Sequence, residues 1–142
     1  MSRRLCWLWG AFAFAVPAHV LAQAAGPEFR VNTYTTASQS APEIASDGNG
    51  NFVVVWDSVV TSVFEDVFAR RYTSAGAPLG PEFRVNTATG NSQESASVAS
   101  TPTGEFVVVW QSFFGDGSAM GVFGQRFAAS GLPAGGEFQV TC

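Results

Sequence analysis

The sequence predicts an all-β fold of antiparallel four-stranded repeats, on three observations. The pentapeptide Phe52-Val53-Val54-Val55-Trp56 recurs unchanged as Phe106-Val107-Val108-Val109-Trp110. The octapeptide Gly26-Pro27-Glu28-Phe29-Arg30-Val31-Asn32-Thr33 recurs letter for letter as Gly80-Pro81-Glu82-Phe83-Arg84-Val85-Asn86-Thr87, at the same offset of 54 residues. Between such runs lie short segments rich in Gly, Pro, Asn and Ser, the residues that turn a chain. Phe, Val and Trp favour a pleated backbone, so Phe52, Val54 and Trp56 project to one side of their strand and Val53 and Val55 to the other. Both sides are apolar, which places this strand in the middle of a sheet covered on both faces. Five residues between Gly-rich turns are too few for a helix.

The first residues form a separate unit. Met1-Ser2-Arg3-Arg4 is a short basic region, Leu5 to Ala18 is apolar, and Ala22-Gln23-Ala24 supplies the small-x-small pattern of a cleaved export signal, so residues 1–24 read as a signal peptide. The apolar run is short for a membrane span. Ser2-Arg3-Arg4 only partly matches a twin-arginine signal, because Cys6 and Trp7 follow where Phe and Leu belong. The chain is therefore expected outside the cytoplasm, secreted or in the periplasm, with no membrane attachment after cleavage.

Cleavage would narrow the chemistry available. His19 and Cys6 leave with the leader, the 142-residue chain has no lysine, and Cys142 stays as the single thiol. The common general bases, Schiff-base nucleophiles and histidine ligands are then missing, and no disulfide within the chain is possible. Residues 25–142 carry five arginines (30, 70, 71, 84 and 126) against eleven acids, a formal net charge of −6. That balance disfavours nucleic acid and anionic membranes as partners.

Residues 25–79 read as repeat 1, 80–134 as repeat 2 and 135–142 as the start of a third. Ser38-Gln39 matches Ser92-Gln93, and Ile44-Ala45-Ser46 matches Val98-Ala99-Ser100. Past the Trp the offset becomes 55, with Phe68, Arg71, Tyr72 and Gly76 opposite Phe123, Arg126, Phe127 and Gly131, so a loop has gained one residue. The first strand of each repeat is expected at Glu43 to Ser46 or Ser97 to Ser100. The second is the Phe-Val-Val-Val-Trp run, the third Val67 to Tyr72 or Val122 to Phe127, and the fourth the Glu-Phe-Arg-Val-Asn segment. Four-stranded units with one apolar strand inside are what a β-propeller blade requires. The chain thus reads as two blades and a partial third, where a closed ring uses about four to eight.

The run Gly-x-Phe-Val-Val-Val-Trp-x-Ser, followed by Gly-Val-Phe-Gly-Gln-Arg-Phe and Glu-Phe-x-Val-Asn-Thr, resembles the tandem repeats of secreted bacterial proteins related to FG-GAP or integrin-α-type propellers. The resemblance covers the chain beyond the leader. It implies an extracellular, non-catalytic binding or adhesion scaffold whose partners are an extracellular protein or glycan, other blades, or further copies of itself. The alternatives are a remnant of a sialidase-like propeller glycoside hydrolase and a truncated chain without a function of its own. Active sites of the former kind gather residues from several blades.

Asp47-Gly48-Asn49-Gly50-Asn51 places side-chain oxygens at alternating positions, as calcium loops do, which makes Asp47, Asn49 and Asn51 the candidate Ca2+ ligands. The same five residues equally make a plain hairpin turn, and the matching stretch Thr101 to Glu105 lacks most of the oxygens. Arg71 and Arg126 are candidates for holding a carboxylate or sulfate, or for joining the repeats through Glu82 or Glu137; recurrence in both repeats favours the structural role. Trp56 and Trp110 lie in phase with the apolar residues and read as core, not as sugar-stacking platforms. The repeats diverge just after the apolar strand, where Asp57 faces Gln111 in the alignment and Phe113, Phe114 and Asp116 form the candidate ligand-contacting loop. No pair of carboxylates reads as a glycosidase site, and no catalytic residue is assigned.

Overall fold

A computed structural model describes residues 26–60, 64–113, 117 and 119–140. The fold is all-β, with no helix among the described residues. Two four-stranded antiparallel sheets follow one another along the chain. Sheet 1 runs β1 (Gln39–Ser46), β2 (Phe52–Val59), β3 (Glu65–Tyr72) and β4 (Phe83–Arg84) in spatial order. Sheet 2 repeats that order with β5 (Gln93–Ser100), β6 (Phe106–Phe113), β7 (Met120–Phe127) and β8 (Phe138–Val140). Each is a simple meander, every strand lying antiparallel beside its predecessor in the chain.

The first strands start earlier than the apolar pattern indicates. β1 extends back to Gln39 across a register shift between Ser40 and Glu43, and β5 to Gln93 across one between Glu94 and Ser97. Each shift holds a residue in the left-handed region, Ala41 at φ 48° and Ser95 at φ 56°. A bulge of this kind breaks the alternation a strand is recognised by. The fourth strands are shorter than expected, and Glu28 to Asn32, the same motif in its first copy, is not a strand. Pairing accounts for the difference: Phe83 and Arg84 hydrogen-bond alongside Ala69 and Phe68, whereas no strand lies beside residues 28–32 among the described residues.

The register fixes which residues share a face, since residues directly opposite one another point the same way. In sheet 1, Ile44, Phe52, Val54, Trp56, Phe68 and Tyr72 form the front; Ala45, Val53, Val55, Val67, Ala69 and Phe83 form the back. The main core joins the back of sheet 1 (Val53, Val55, Val67, Ala69, Val85) to the front of sheet 2 (Phe106, Val108, Trp110, Phe127), with Ala96 buried among them. The two sheets therefore stack front to back, through unlike faces. A second cluster of Val54, Trp56 and Tyr72, covered by Val31, Phe52 and Phe68, lies on the front of sheet 1. Trp110 satisfies its indole N–H at the Gln93 side-chain oxygen, 2.9 Å away, which lets a polar atom enter the core without an unpaired donor.

Candidate functional site

The Asp47 turn sits at the sheet junction. The Asp47 Oδ1 accepts from the backbone N–H groups of Asn49 (2.8 Å) and Asn51 (2.9 Å), and its Oδ2 accepts from the Asn51 side-chain amide (2.9 Å). The Asn51 side-chain Oδ1 in turn accepts from the Ser74 backbone N–H at 3.2 Å. These donors, the Asn51 amide first, hold the Asp47 carboxyl below its ordinary range. Of the three Ca2+ candidates, Asp47 and Asn51 thus spend their oxygens on the turn, and Asn49 joins it through its backbone N–H. In the second repeat the same closure is made from the other end. Glu105 accepts from the hydroxyls of Thr101 and Thr103, which lower its pKa as well. Gly48 N–H donates to the Pro102 carbonyl at 3.0 Å and ties the two turns together. Among the described residues no three His, Cys, Asp or Glu side chains are grouped so as to hold a metal ion.

Between these turns lies a cavity of about 210 Å³, lined by Asp47, Asn51, Arg71, Tyr72, Thr103 and Phe106 among others. Arg71 crosses the junction. Its guanidinium donates to the backbone carbonyls of Ala129 and Ser130 in sheet 2's outer turn. Gly131, at φ 86°, makes room for it, because a Cβ there would stand 2.8 Å from Arg71 Nη1. Arg71 thus joins the repeats, but not through the acids expected from the sequence. Glu82 instead accepts from the backbone N–H groups of Thr33 (2.6 Å) and Tyr34 (3.1 Å). Glu137 accepts from Thr87 in the same way, through its N–H at 3.0 Å and its hydroxyl. Arg126, the repeat counterpart of Arg71, places its guanidinium 4.9 Å from the Phe138 ring centre.

At the opposite end of the strands, three acids approach one another. Asp57 is buried and its Oδ2 accepts from Ser95 N–H at 2.8 Å, while its Oδ1 has no hydrogen-bond partner among the described residues. Burial raises the Asp57 pKa, opposed by the Ser95 and Ala96 amides, with a smaller push upward from Glu65. Burial also raises that of Glu94, helped by Glu65. Asp66, likewise buried, accepts from the Asn86 side chain at 2.7 Å and faces Arg84 at 3.6 Å. Of the loop candidates, Phe113 closes β6 half-buried, its N–H donating to Ser92 O at 3.0 Å. Phe114 and Asp116 lie outside the described residues, as do the leader and Cys142.

The sequence reading singled out Asp57 as a point where the repeats diverge but placed it in the variable loop; it lies buried within β2. The two outer sheet faces carry exposed apolar residues. On the front of sheet 1, Phe29, Ile44, Phe52 and Val54 line a hollow of about 700 Å³. On the back of sheet 2, Val122 and Val140 stand in the open. Comparison with protein-family models, with curated proteins and with solved structures gives no match to this chain.

Proposed function

We propose that the chain is a secreted, non-catalytic repeat protein whose sheets act as β-propeller-type blades and form a binding or adhesion scaffold. The observation that carries this reading is the front-to-back stacking of two sheets with the same order of strands, whose polar groups are spent on holding turns and repeats together. Arg71, Glu82, Glu137, Asp47 and Glu105 all serve backbone amides, carbonyls or turn hydroxyls. The acids that approach one another, Glu65 and Glu94 beside the buried Asp57, are the groups an alternative hydrolase reading would use. The ligand class is an extracellular glycan or protein held on surface loops, since a rigid stack presents its variable turns at the ends of the strands.

The test is to apply the purified chain in parallel to immobilised glycans and matrix proteins and to chromogenic glycosides, sialosides included. Saturable binding without turnover supports the scaffold. Turnover that survives further purification and is lost on substituting Glu94 or Glu65 would replace it with a hydrolase.

A further inference from the structure

We infer that this chain assembles head to tail with further copies of itself, the back of sheet 2 in one copy packing on the front of sheet 1 in the next. The inference rests on the stacking of repeated sheets and not on which ligand they bind. The interface it calls for already exists once inside the molecule. The back of sheet 1 and the back of sheet 2 share six apolar positions, Ala45 with Ala99, Val53 with Val107, Val55 with Val109, Val67 with Val122, Phe83 with Phe138 and Val85 with Val140, and differ where Ala69 and Asp57 are replaced by Gly124 and Gln111. Inside the stack the centre of this surface is covered. Val67 is 0% exposed and Val85 3%, whereas their counterparts Val122 and Val140 are 42% and 44% exposed.

The fronts repeat as well. Phe52, Val54 and Trp56 match Phe106, Val108 and Trp110, and Ile44, 62% exposed, matches Val98, which packs against the main core. Val54 and Trp56 are already covered, so the front exposes Ile44 and Phe29 (48%), and the opposite end exposes Val122 and Val140; the two ends thus leave open parts of one and the same contact. A second copy is the occupant that fits both.

The segment before β1 shows how the contact closes. Within the chain, residues 83–86 pair with β3 on one side and cover the front of the following sheet on the other, Phe83 lying 5.5 Å from the Phe127 ring. Residues 28–32, with the same sequence, already cover the front of sheet 1 in that manner. Phe29 lies 5.4 Å from the Tyr72 ring, and the Tyr72 hydroxyl donates to Val31 O at 2.6 Å. What they lack is the third strand beside them. In the assembly, β7 of the neighbouring copy supplies it, and residues 28–32 take the edge position that β8 holds in the isolated chain, so that Phe29 and Val31 stand in the contact where Phe138 and Val140 stand in a single copy. In the isolated chain β8, three residues long, holds that edge with Phe138 lying over Gly124.

A contact through unlike faces is heterologous and generates rings or filaments. Light scattering after size-exclusion chromatography, with reductant present, is expected to give a multiple of the monomer mass. Ile44→Glu and Val122→Glu each spoil one face, at positions exposed in the isolated chain. Each variant alone should be monomeric, with association at least about tenfold weaker, and an equimolar mixture should form a dimer with one chain of each, because each keeps the face the other lost. If either glutamate variant loses its β-sheet circular dichroism, Ile44→Thr and Val122→Thr take its place.

A folded wild-type monomer at every concentration reached would overturn the inference while leaving the scaffold reading in place. Dimers of one variant with itself would overturn the head-to-tail geometry. For the strand exchange, Val31→Cys with Val122→Cys in a Cys6→Ser, Cys142→Ser background should cross-link between copies on oxidation. Residues 31 and 122 lie on opposite outer faces of one copy, so linkage within a chain is precluded, and an assembly that fails to cross-link would overturn the exchange.

Discussion

Arg71 and Arg126 occupy one repeat position and do different work, which shows how far a residue's role depends on what faces it. Arg71 has a neighbouring turn to reach; Arg126 lies on the Phe138 ring. Arg71→Ala should cost about 1 kcal/mol in urea denaturation, the scale of charge-assisted hydrogen bonds that remain partly in water. Arg71→Lys should not restore it, since one ammonium cannot fork to two carbonyls. Asp57 makes the complementary case. Its folded pKa is raised above the ordinary 3.8, so between those two values the folded chain holds more protons than the unfolded one and stability falls as pH rises. Asp47 and Glu105, with lowered values, contribute in the opposite sense, and their share is lost as pH falls through the acid range. Asp57→Asn keeps an oxygen for Ser95 N–H and removes the buried charge. Denaturation at a series of pH values should then show a shallower decline above pH 3.8. An unchanged slope would assign the decline to Glu94 alone. The Asp47 turn, with its oxygens engaged by amide donors, should melt at the same temperature with calcium or with a chelator; a calcium-dependent rise would mean that the turn reopens around the ion.

At the scale of elements, β2 and β6 share the sequence Phe-Val-Val-Val-Trp and differ in surroundings. Every residue from Val53 to Ser58 is buried, whereas β6 alternates between buried and half-buried along its length. Pattern alone could establish that the strand suits two covered faces, and this much of the fold was legible: the turns, the antiparallel order and the central place of the apolar strand all follow from local residue chemistry. Whether both faces are covered depends on what lies beyond, which no pentapeptide encodes. The bulges at Ala41 and Ser95 escaped for a related reason, since neither residue type announces a positive φ. The two valines offer a controlled comparison. Val53→Ala empties a site that is 4% exposed and should cost about 2 kcal/mol. Val107→Ala, made in the Val122→Glu background so that sheet 2's back stays open, should cost less than about 1 kcal/mol. Equal losses would show that something covers that face in the single chain too.

For the molecule as a whole, the repeat was plain in the sequence, but the candidate sites drawn from it were not sites of one kind. The oxygens of Asp47 and the guanidinium of Arg71 turned out to bind the protein's own backbone, because a short stacked array has to fasten each turn to the next sheet, whereas Arg126 lies on the Phe138 ring. Energetics of such an array are close to a sum over sheets and the contacts between neighbours. Duplicating residues 80–134 in place, between Ala134 and Gly135, would rejoin the chain at the Pro-x-Gly turn that links the existing repeats. It would add one sheet and one front-to-back contact while leaving one open front and one open back. The third sheet should fold with the other two. The dependence of unfolding free energy on urea should then steepen to about one and a half times that of the natural chain, in proportion to the surface exposed, with a single transition and a higher melting temperature. Two separate transitions, or an unchanged slope, would mean that the contact between sheets 1 and 2 is particular to that pair and that the faces left open are not built to continue the stack.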